Sequence, residues 1–130
     1  MSKPSILLVE SDYPTAKIYS EGLRSGGYKV RVSDNAQGAI YCVDESTPDL
    51  IILEIQQIKH NGYEFLYELR SYVDWQYIPV IINSFIPRHA LGLDDVLMSE
   101  LGISAVLYKP TTSLSKLIYT VESTLVTVTK

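Results

Sequence analysis

The 130-residue sequence has very few of the side chains that form disulfides or bind soft metals. Its one cysteine, Cys42, cannot form a disulfide within the chain, and such scarcity is typical of the cytosol. We interpret Cys42 as a small buried hydrophobe. The two histidines, His60 and His89, fall in predicted loops without a second ligand at metal-binding spacing. The sequence therefore predicts neither a disulfide framework nor a histidine metal site.

Long apolar runs and dense positive charge are also missing. The longest apolar runs, "ILLV" at 6–9 and "LIIL" at 50–53, are far too short to span a bilayer. The N-terminal "MSKPS" lacks the apolar stretch of a signal peptide, so we expect a cytoplasmic protein with no membrane contact. Eleven basic and fifteen acidic residues give a net charge of −4, and no basic run could follow a phosphate backbone. We expect no nucleic-acid binding by this domain.

Common catalytic signatures are absent as well. The sequence contains no Gly-rich phosphate loop, no GxSxG motif and no HExxH motif. We therefore do not expect an enzyme. The composition, 46% hydrophobic and 20% charged, is that of a globular protein, and the length suits one domain over residues 1–130.

What the sequence does have is a regular alternation of short apolar runs and amphipathic segments of helix length. Strands are predicted at Ser5–Glu10, Lys29–Ser33, Leu50–Glu54, Pro79–Asn83 and Ser104–Tyr108. Helices are predicted at Pro14–Gly26, Asn35–Glu45, Tyr63–Tyr72, Leu91–Leu101 and Ser113–Thr127. This alternation predicts a (βα)5 chain that forms a doubly wound, five-stranded parallel sheet through right-handed crossovers.

Several residues at the ends of these segments support the assignment. Asp34 is the expected N-cap of the second helix, and Ser113 or Thr112 that of the fifth. Gly102 is the expected C-cap of the fourth helix. The strand "KVRVS" alternates polar and apolar residues, which favours a place near the edge of the sheet, whereas central parallel strands are almost wholly apolar.

In a doubly wound sheet, ligands bind at the carboxyl ends of the strands. That edge would collect the acids Glu10, Asp12 and Glu54, the hydroxyl of Ser84 and the ammonium of Lys109. Three acids in one cleft repel each other, so they need a cation, which is Lys109, a hard divalent metal, or both. The bond before Pro110 is an X-Pro bond, and a cis form would aim the lysine into the cleft.

Together these features resemble the receiver domain of two-component response regulators over nearly the whole chain. The matching stretches are "ILLVESD", "PDLIILEI", "NGYEFLYELR", "IPVIINS" and "GISAVLYKP". The resemblance implies a flavodoxin-like fold with strand order 2-1-3-4-5. It also implies an Asp after strand 3 that accepts a phosphoryl group from a histidine kinase, acids after strand 1 that hold Mg²⁺, and a hydroxyl and a lysine that bind the phosphoryl oxygens.

Carried onto this chain, the resemblance places the phosphoacceptor at Glu54 and the phosphate pocket at Ser84 and Lys109. The implied metal positions are Glu10, Asp12, Glu54 and Gln56, the last through its backbone carbonyl. Phosphoryl transfer to a carboxylate is mostly positioning and charge neutralisation, so these groups are chemically coherent.

The sequence departs from the family pattern at several of these positions. The acidic pair after strand 1 falls on Glu10 and Ser11, so only one acid is kept, which weakens any Mg²⁺ site. The switch aromatic of strand 5 falls on Val106. The stretch 84–102 is about three residues longer than the resemblance implies, which would reshape the loop into helix 4. Glutamate at position 54 is one methylene longer than aspartate, and a misplacement of ~1 Å can cost ~10²-fold in rate.

We therefore expect a degenerate receiver that acts as a phosphorylation-independent interaction module, with Mg²⁺ bound weakly or not at all. Its expected partners are a histidine kinase, another signalling protein or an output domain, bound through the helix 4–strand 5–helix 5 face, and a homodimer is compatible with this interpretation. Two alternatives stay open: a receiver still phosphorylated at Asp12 or weakly at Glu54, and a flavodoxin-like domain that binds a small molecule. The second alternative predicts a roomy pocket with apolar walls at the strand tips.

Tyrosine is the one abundant aromatic residue, with ten in the chain. Tyr63, Tyr67 and Tyr72 lie in or near the predicted helix 3, and Trp75 follows it. They either form an exposed patch for a partner or pack half-buried with their hydroxyls in water.

Overall fold

Five short strands form one parallel sheet. The computed structural model describes residues 3–55 and 62–129. The strands are β1 Ser5–Val9, β2 Lys29–Ser33, β3 Leu50–Leu53, β4 Val80–Ser84 and β5 Ile103–Tyr108. Their order in the sheet is β2-β1-β3-β4-β5, which confirms the predicted order 2-1-3-4-5.

Five α-helices connect the strands and cover both faces of the sheet. They are α1 Tyr13–Ser25, α2 Ala36–Glu45, α3 Gly62–Ser71, α4 Asp95–Glu100 and α5 Leu114–Thr129. Single 3-10 turns occur at Val73–Trp75, Arg88–Ala90 and Lys109–Thr111. Within residues 3–55 and 62–129, no helix is long and apolar enough to cross a bilayer.

The burial of each strand follows from its place in the sheet. Every residue of β3 is buried, because this strand pairs with β1 and β4 and helices cover both its faces. β2 lies at an edge, as its alternating sequence predicts, and Val32 is exposed there. One apolar core packs α1 and α5 against the sheet, and the other packs α2 and α3 against the opposite face.

Local side-chain hydrogen bonds fix where three helices begin. Asp12 accepts from the backbone N–H of Thr15 and caps α1. The N-cap of α2 is Asn35, whose side chain accepts from the Gly38 N–H at 2.7 Å, so the expected Asp34 cap is wrong. The backbone of Asn35 is extended, and its side-chain oxygen reaches the first turn of the helix. The Asp34 carboxylate instead accepts a hydrogen bond from the side-chain amide of Asn35. Ser113 caps α5.

Helix α4 is shorter than predicted. It begins at Asp95 and not near Leu91, because Gly92 adopts a φ of +72° and Asp94 is extended and caps the helix. Leu91, the predicted start of the helix, and Leu93, which fits a helical stripe with Leu97 and Leu101, are both buried from the loop before the helix. The C-cap of α4 is Leu101 and not the expected Gly102, which follows it with a φ of +65°.

Two further expectations concern loops. Among the described residues no peptide bond is cis, so the bond before Pro110 is trans and a cis form is not what directs Lys109. Asn61, His60 and Gln56 lie outside the described residues.

Candidate functional site

The carboxyl ends of four neighbouring strands bring the chemically active side chains together. Glu10 follows β1 and Glu54 follows β3, and the two strands pair with Val9 opposite Leu53. Their backbones are fixed by the sheet, since the Glu54 N–H donates to the Val9 carbonyl at 3.0 Å. On the other side, β4 and β5 pair with Ser84 opposite Tyr108, so Lys109 is the next residue beyond the sheet.

Lys109 bridges the two buried carboxylates. Its Nζ lies 2.5 Å from Glu10 Oε1 and 2.8 Å from Glu54 Oε1. The three side chains are 5%, 3% and 6% exposed, so water screens these contacts very little. Two carboxylates and one ammonium leave one net negative charge in the cluster. We call Glu10, Glu54 and Lys109 the ion triad.

The electrostatics of the ion triad favour a protonated lysine. Burial alone disfavours the ammonium, but the hydrogen bonds and charges of Glu10 and Glu54 outweigh it, so the pKa of Lys109 is raised above its ordinary value. The lysine therefore stays charged throughout the physiological pH range. The ammonium has three N–H donors, and two carboxylate oxygens lie within hydrogen-bond distance of it.

The second oxygen of Glu10 is also engaged. Glu10 Oε2 accepts from the backbone N–H of Asp12 at 3.1 Å. The carboxylate of Asp12 itself is exposed and faces helix α1, where it accepts from both the N–H and the hydroxyl of Thr15. The Thr15 hydroxyl and N–H lower the pKa of Asp12. Asp12 thus supports the triad through its backbone and the helix through its side chain.

Ser84 and Phe85 complete the surroundings of the triad. Ser84 is fully buried, and its oxygen accepts from the Ile86 N–H at 3.1 Å, which leaves its O–H as a donor. Phe85 is 62% exposed, and its ring centroid lies 4.9 Å from Lys109 Nζ, a cation–π contact. The ring is thus a further neighbour of the ammonium, beside the two carboxylates.

These residues do not fit a Mg²⁺ ion in the arrangement observed. An oxygen of each buried carboxylate is bonded to the Lys109 ammonium, and the third acid, Asp12, caps a helix. In residues 3–55 and 62–129, no three acidic, histidine or cysteine side chains form a group able to hold a metal. Gln56, the fourth implied metal position, lies outside the described residues.

The family model of the response regulator receiver domain matches residues 6–122. The chain belongs to this family. The Klebsiella pneumoniae transcriptional regulatory protein CpxR is 34% identical to the receiver over 105 residues, which cover 81% of this chain and 42% of CpxR. The Brucella anthropi polar-differentiation response regulator DivK is 27% identical over 92% of this chain and 94% of DivK. The chain thus spans less than half of one curated relative and nearly all of another.

Solved structures show the same fold. A CheY-like receiver domain protein from Methanospirillum hungatei superposes with a TM-score of 0.84 at 18% identity, covering 98% of this chain and 97% of that one. Five parallel strands in the order 2-1-3-4-5 are therefore the flavodoxin-like arrangement of the receiver family.

In this receiver the structure brings together Glu10, Glu54 and Lys109 and places Ser84 buried at the end of the adjacent strand. Val106, at the position of the switch aromatic, is partly buried against the core on the α2–α3 side. The sequence reasoning missed Phe85. Its one signal was a large apolar residue directly after an apolar strand, which is equally compatible with burial in the core.

Proposed function

We propose that this receiver acts without phosphorylation, as a signalling module that binds a partner protein. The observation that carries the proposal is the ion triad, in which Lys109 Nζ lies 2.5 and 2.8 Å from the two carboxylates. An internal cation takes the charge-balancing place that a divalent metal would otherwise have. The chain itself therefore supplies a cation to both buried carboxylates.

The length of glutamate supports the proposal. A Glu54 oxygen already lies within hydrogen-bond distance of Lys109, the group expected to bind the oxygens of an attached phosphoryl. A phosphoryl donor would have to separate a buried ion pair before it could use the lysine, and such pairs are costly to break. The carboxylate supplies one charge and two oxygens toward the lysine, a partial imitation of a phosphorylated aspartate.

We place the partner surface on α4, β5 and α5. These elements expose large apolar side chains at Val96, Tyr108 and Tyr119, which are 67%, 38% and 69% exposed. Exposed aromatic residues are favoured at protein interfaces. The partner in this proposal is a histidine kinase, another signalling protein or an output domain, and no catalytic activity is assigned to the receiver.

Incubation with acetyl phosphate or beryllofluoride and Mg²⁺ tests the proposal. We expect an unchanged intact mass and an unchanged Trp75 fluorescence, because the ion triad already occupies the acceptor and the lysine. A stoichiometric phosphoryl adduct would overturn the proposal and would identify a receiver phosphorylated at Glu54 or Asp12, which peptide mapping would distinguish.

Matched variants separate two causes for the expected absence of phosphorylation. Glu54→Asp shortens the acceptor, and Ser11→Asp restores the second acid after β1. Reactivity in Glu54→Asp alone would assign the loss to the methylene, whereas reactivity only in the double variant would assign it to the missing acid. Asp12→Asn in the same assay is the control for modification at the other carboxylate.

A further inference from the structure

Helices α2 and α3 lie side by side and leave a groove between them. One part of the groove, about 500 Å³, is lined by Ala36, Gln37, Ile40, Tyr41, Glu64, Phe65 and Glu68. A second part, about 400 Å³, shares Ile40 and Tyr41 and continues to Asp44, Tyr72, Val73, Asp74 and Trp75. Because the two parts share lining residues, they form one surface, which we call the α2–α3 groove.

The groove combines apolar and aromatic side chains that are exposed to water. Tyr41 is 64% exposed, Tyr72 48% and Val73 73%. Trp75 is mostly buried at the end of the groove, with its ring centroid 4.5 Å from that of Tyr72. Single exposed apolar residues are ordinary, but a continuous set that lines a depression is typical of an interaction site.

The charged side chains that line the groove, in the part of the chain that the structure describes, are all acidic. The acids are Asp44 on α2, Glu64 and Glu68 on α3, and Asp74 in the turn after α3. Among residues 3–55 and 62–129, no lysine or arginine lines either part. An apolar floor with an acidic rim complements a ligand that is apolar in the middle and basic at its edges.

We propose that the α2–α3 groove is a docking surface for a basic amphipathic helix of a partner protein. A groove between two helices suits a third helix that buries residues at i, i+3 or i+4, and i+7. Lysine or arginine residues beside that apolar stripe would lie against Glu64, Glu68, Asp44 and Asp74. The proposal concerns a different surface from the α4–β5–α5 face and does not depend on whether the receiver is phosphorylated.

The same charges argue against other occupants. A symmetric second copy would place acidic rim against acidic rim, and like charges across an interface are repulsive. Anionic lipid surfaces and nucleic-acid phosphates would be repelled in the same way. A basic helix is the occupant that the rim attracts.

Trp75 allows a direct test, because it is the only tryptophan of the chain and lines the groove. The probe is a synthetic peptide of about 15 residues with leucine at heptad a and d positions and lysine beside them. Controls are a shuffled peptide of the same composition and a peptide with glutamate in place of lysine. We expect only the first to change the Trp75 emission, with an affinity that falls as salt is added.

Charge-reversal variants locate the binding surface. Glu64→Lys/Glu68→Lys reverses two rim acids, and Glu21→Lys/Glu122→Lys makes the same change of charge on exposed residues of α1 and α5. We expect the first pair to weaken peptide binding about tenfold or more and the second pair by less than about twofold. Tyr41→Ser in the groove and Tyr13→Ser on α1, both at exposed tyrosines, provide the matching apolar pair.

The proposal is overturned by any of three results. These are no Trp75 response up to about 1 mM peptide, equal weakening by the two charge-reversal pairs, and equal binding of the shuffled peptide. Self-association of the wild-type chain that Glu64→Lys/Glu68→Lys abolishes would also overturn it, because the occupant would then be a second copy. Circular dichroism and thermal unfolding of each variant separate lost binding from lost structure.

Discussion

The extra methylene of glutamate is what allows Glu54 to form the ion triad. Aspartate at the same backbone position would place its oxygens roughly one carbon–carbon bond further from Lys109 Nζ, which lies 2.8 Å from Glu54 Oε1. The lysine also contacts Glu10 at 2.5 Å, so it is held from both sides. A buried ammonium with two carboxylates is strongly coupled to them, because the low local dielectric strengthens each contact.

Lys109→Met tests this coupling. Removal of the ammonium leaves two buried carboxylates without a counter-ion, so we expect the free energy of unfolding at neutral pH to fall by about 3–5 kcal/mol. Urea unfolding at neutral pH measures this loss. Lys116→Met, at an exposed lysine of α5, is the control, and equal losses in the two variants would contradict the coupling.

The wild-type protein has a complementary dependence at alkaline pH. The pKa of Lys109 is raised above its ordinary value of 10.5, so its stabilising charge is fully present below that value. The contribution disappears as the pH rises through the higher pKa of the folded state. We expect the difference in stability between the wild-type and Lys109→Met proteins to shrink at a pH above 10.5, as followed by urea unfolding. A constant difference between them at that pH would contradict the linkage.

The residues of the site were largely predictable because each follows an apolar strand. Parallel strands put their carboxyl ends at one edge, so the strand assignment places Glu10, Glu54, Ser84 and Lys109 along that edge. What the sequence could not show is that the Lys109 ammonium contacts one oxygen of each carboxylate. Nor could it show that Asp12 turns its carboxylate to Thr15, since capping a helix and facing a cleft require the same residue type.

The backbone of Ile55 lies so close to Gly62 that it limits which residue can begin α3. A Cβ at Gly62 would lie 2.7 Å from the carbonyl oxygen of Ile55 and 2.8 Å from its Cα. We expect Gly62→Ala to lower the stability by about 1–3 kcal/mol, because backbone atoms have to move. Gly26→Ala is the control, since its added Cβ meets nothing closer than 3.4 Å. Thermal unfolding compares them, and equal midpoints would contradict the prediction.

Arg70 joins three elements through its guanidinium. It donates to the carbonyls of Leu101 at 2.8 Å, Trp75 at 2.8 Å and Ile78 at 2.6 Å, so it ties the end of α3 to the chain before β4 and to the end of α4. Burial lowers the pKa of Arg70, but an arginine remains protonated at neutral pH.

Arg70→Lys keeps the charge and removes the planar fork. Because a lysine cannot reach all these carbonyls, we expect a loss of about 2–4 kcal/mol in the free energy of unfolding, measured with urea. Arg88→Lys is the control, since Arg88 is exposed and pairs with the exposed Asp95 at 3.3 Å. That change should stay within about 0.5 kcal/mol. A similarly small effect of Arg70→Lys would show that the hydrogen bonds of the guanidinium do not contribute to stability.

Helix boundaries show where pattern and structure differ. The spacing of Leu93, Leu97 and Leu101 fits one helical stripe, yet Leu93 is buried from a loop. Helix α4 begins only at Asp95, because Gly92 has a left-handed backbone and Asp94 caps the helix. Apolar spacing alone cannot distinguish a buried loop from a helical turn, whereas the order of elements follows from strand and helix periods that extend over the whole chain.

For the molecule as a whole, the contrast between its centre and α4 predicts an uneven local stability. β3 is buried on both faces and pairs with strands on both sides, whereas α4 has six residues and none of them is buried. Local opening of α4 exposes little apolar surface, and opening of β3 requires the sheet to separate. Helix α4 forms part of the proposed partner surface. A partner that binds there could therefore change the conformation of α4 at a small cost in free energy.

We therefore expect the amides of α4 to exchange with deuterium about 10²-fold faster, relative to their intrinsic rates, than those of β1 and β3. Nuclear magnetic resonance of the exchanging protein measures both sets in one sample. The edge strand β2, with one exposed face, should fall between them. Equal protection of α4 and β3 would mean that the molecule opens only as one cooperative unit. The α4–β5–α5 face would then be as rigid as the sheet, and a partner would have to bind it as it stands.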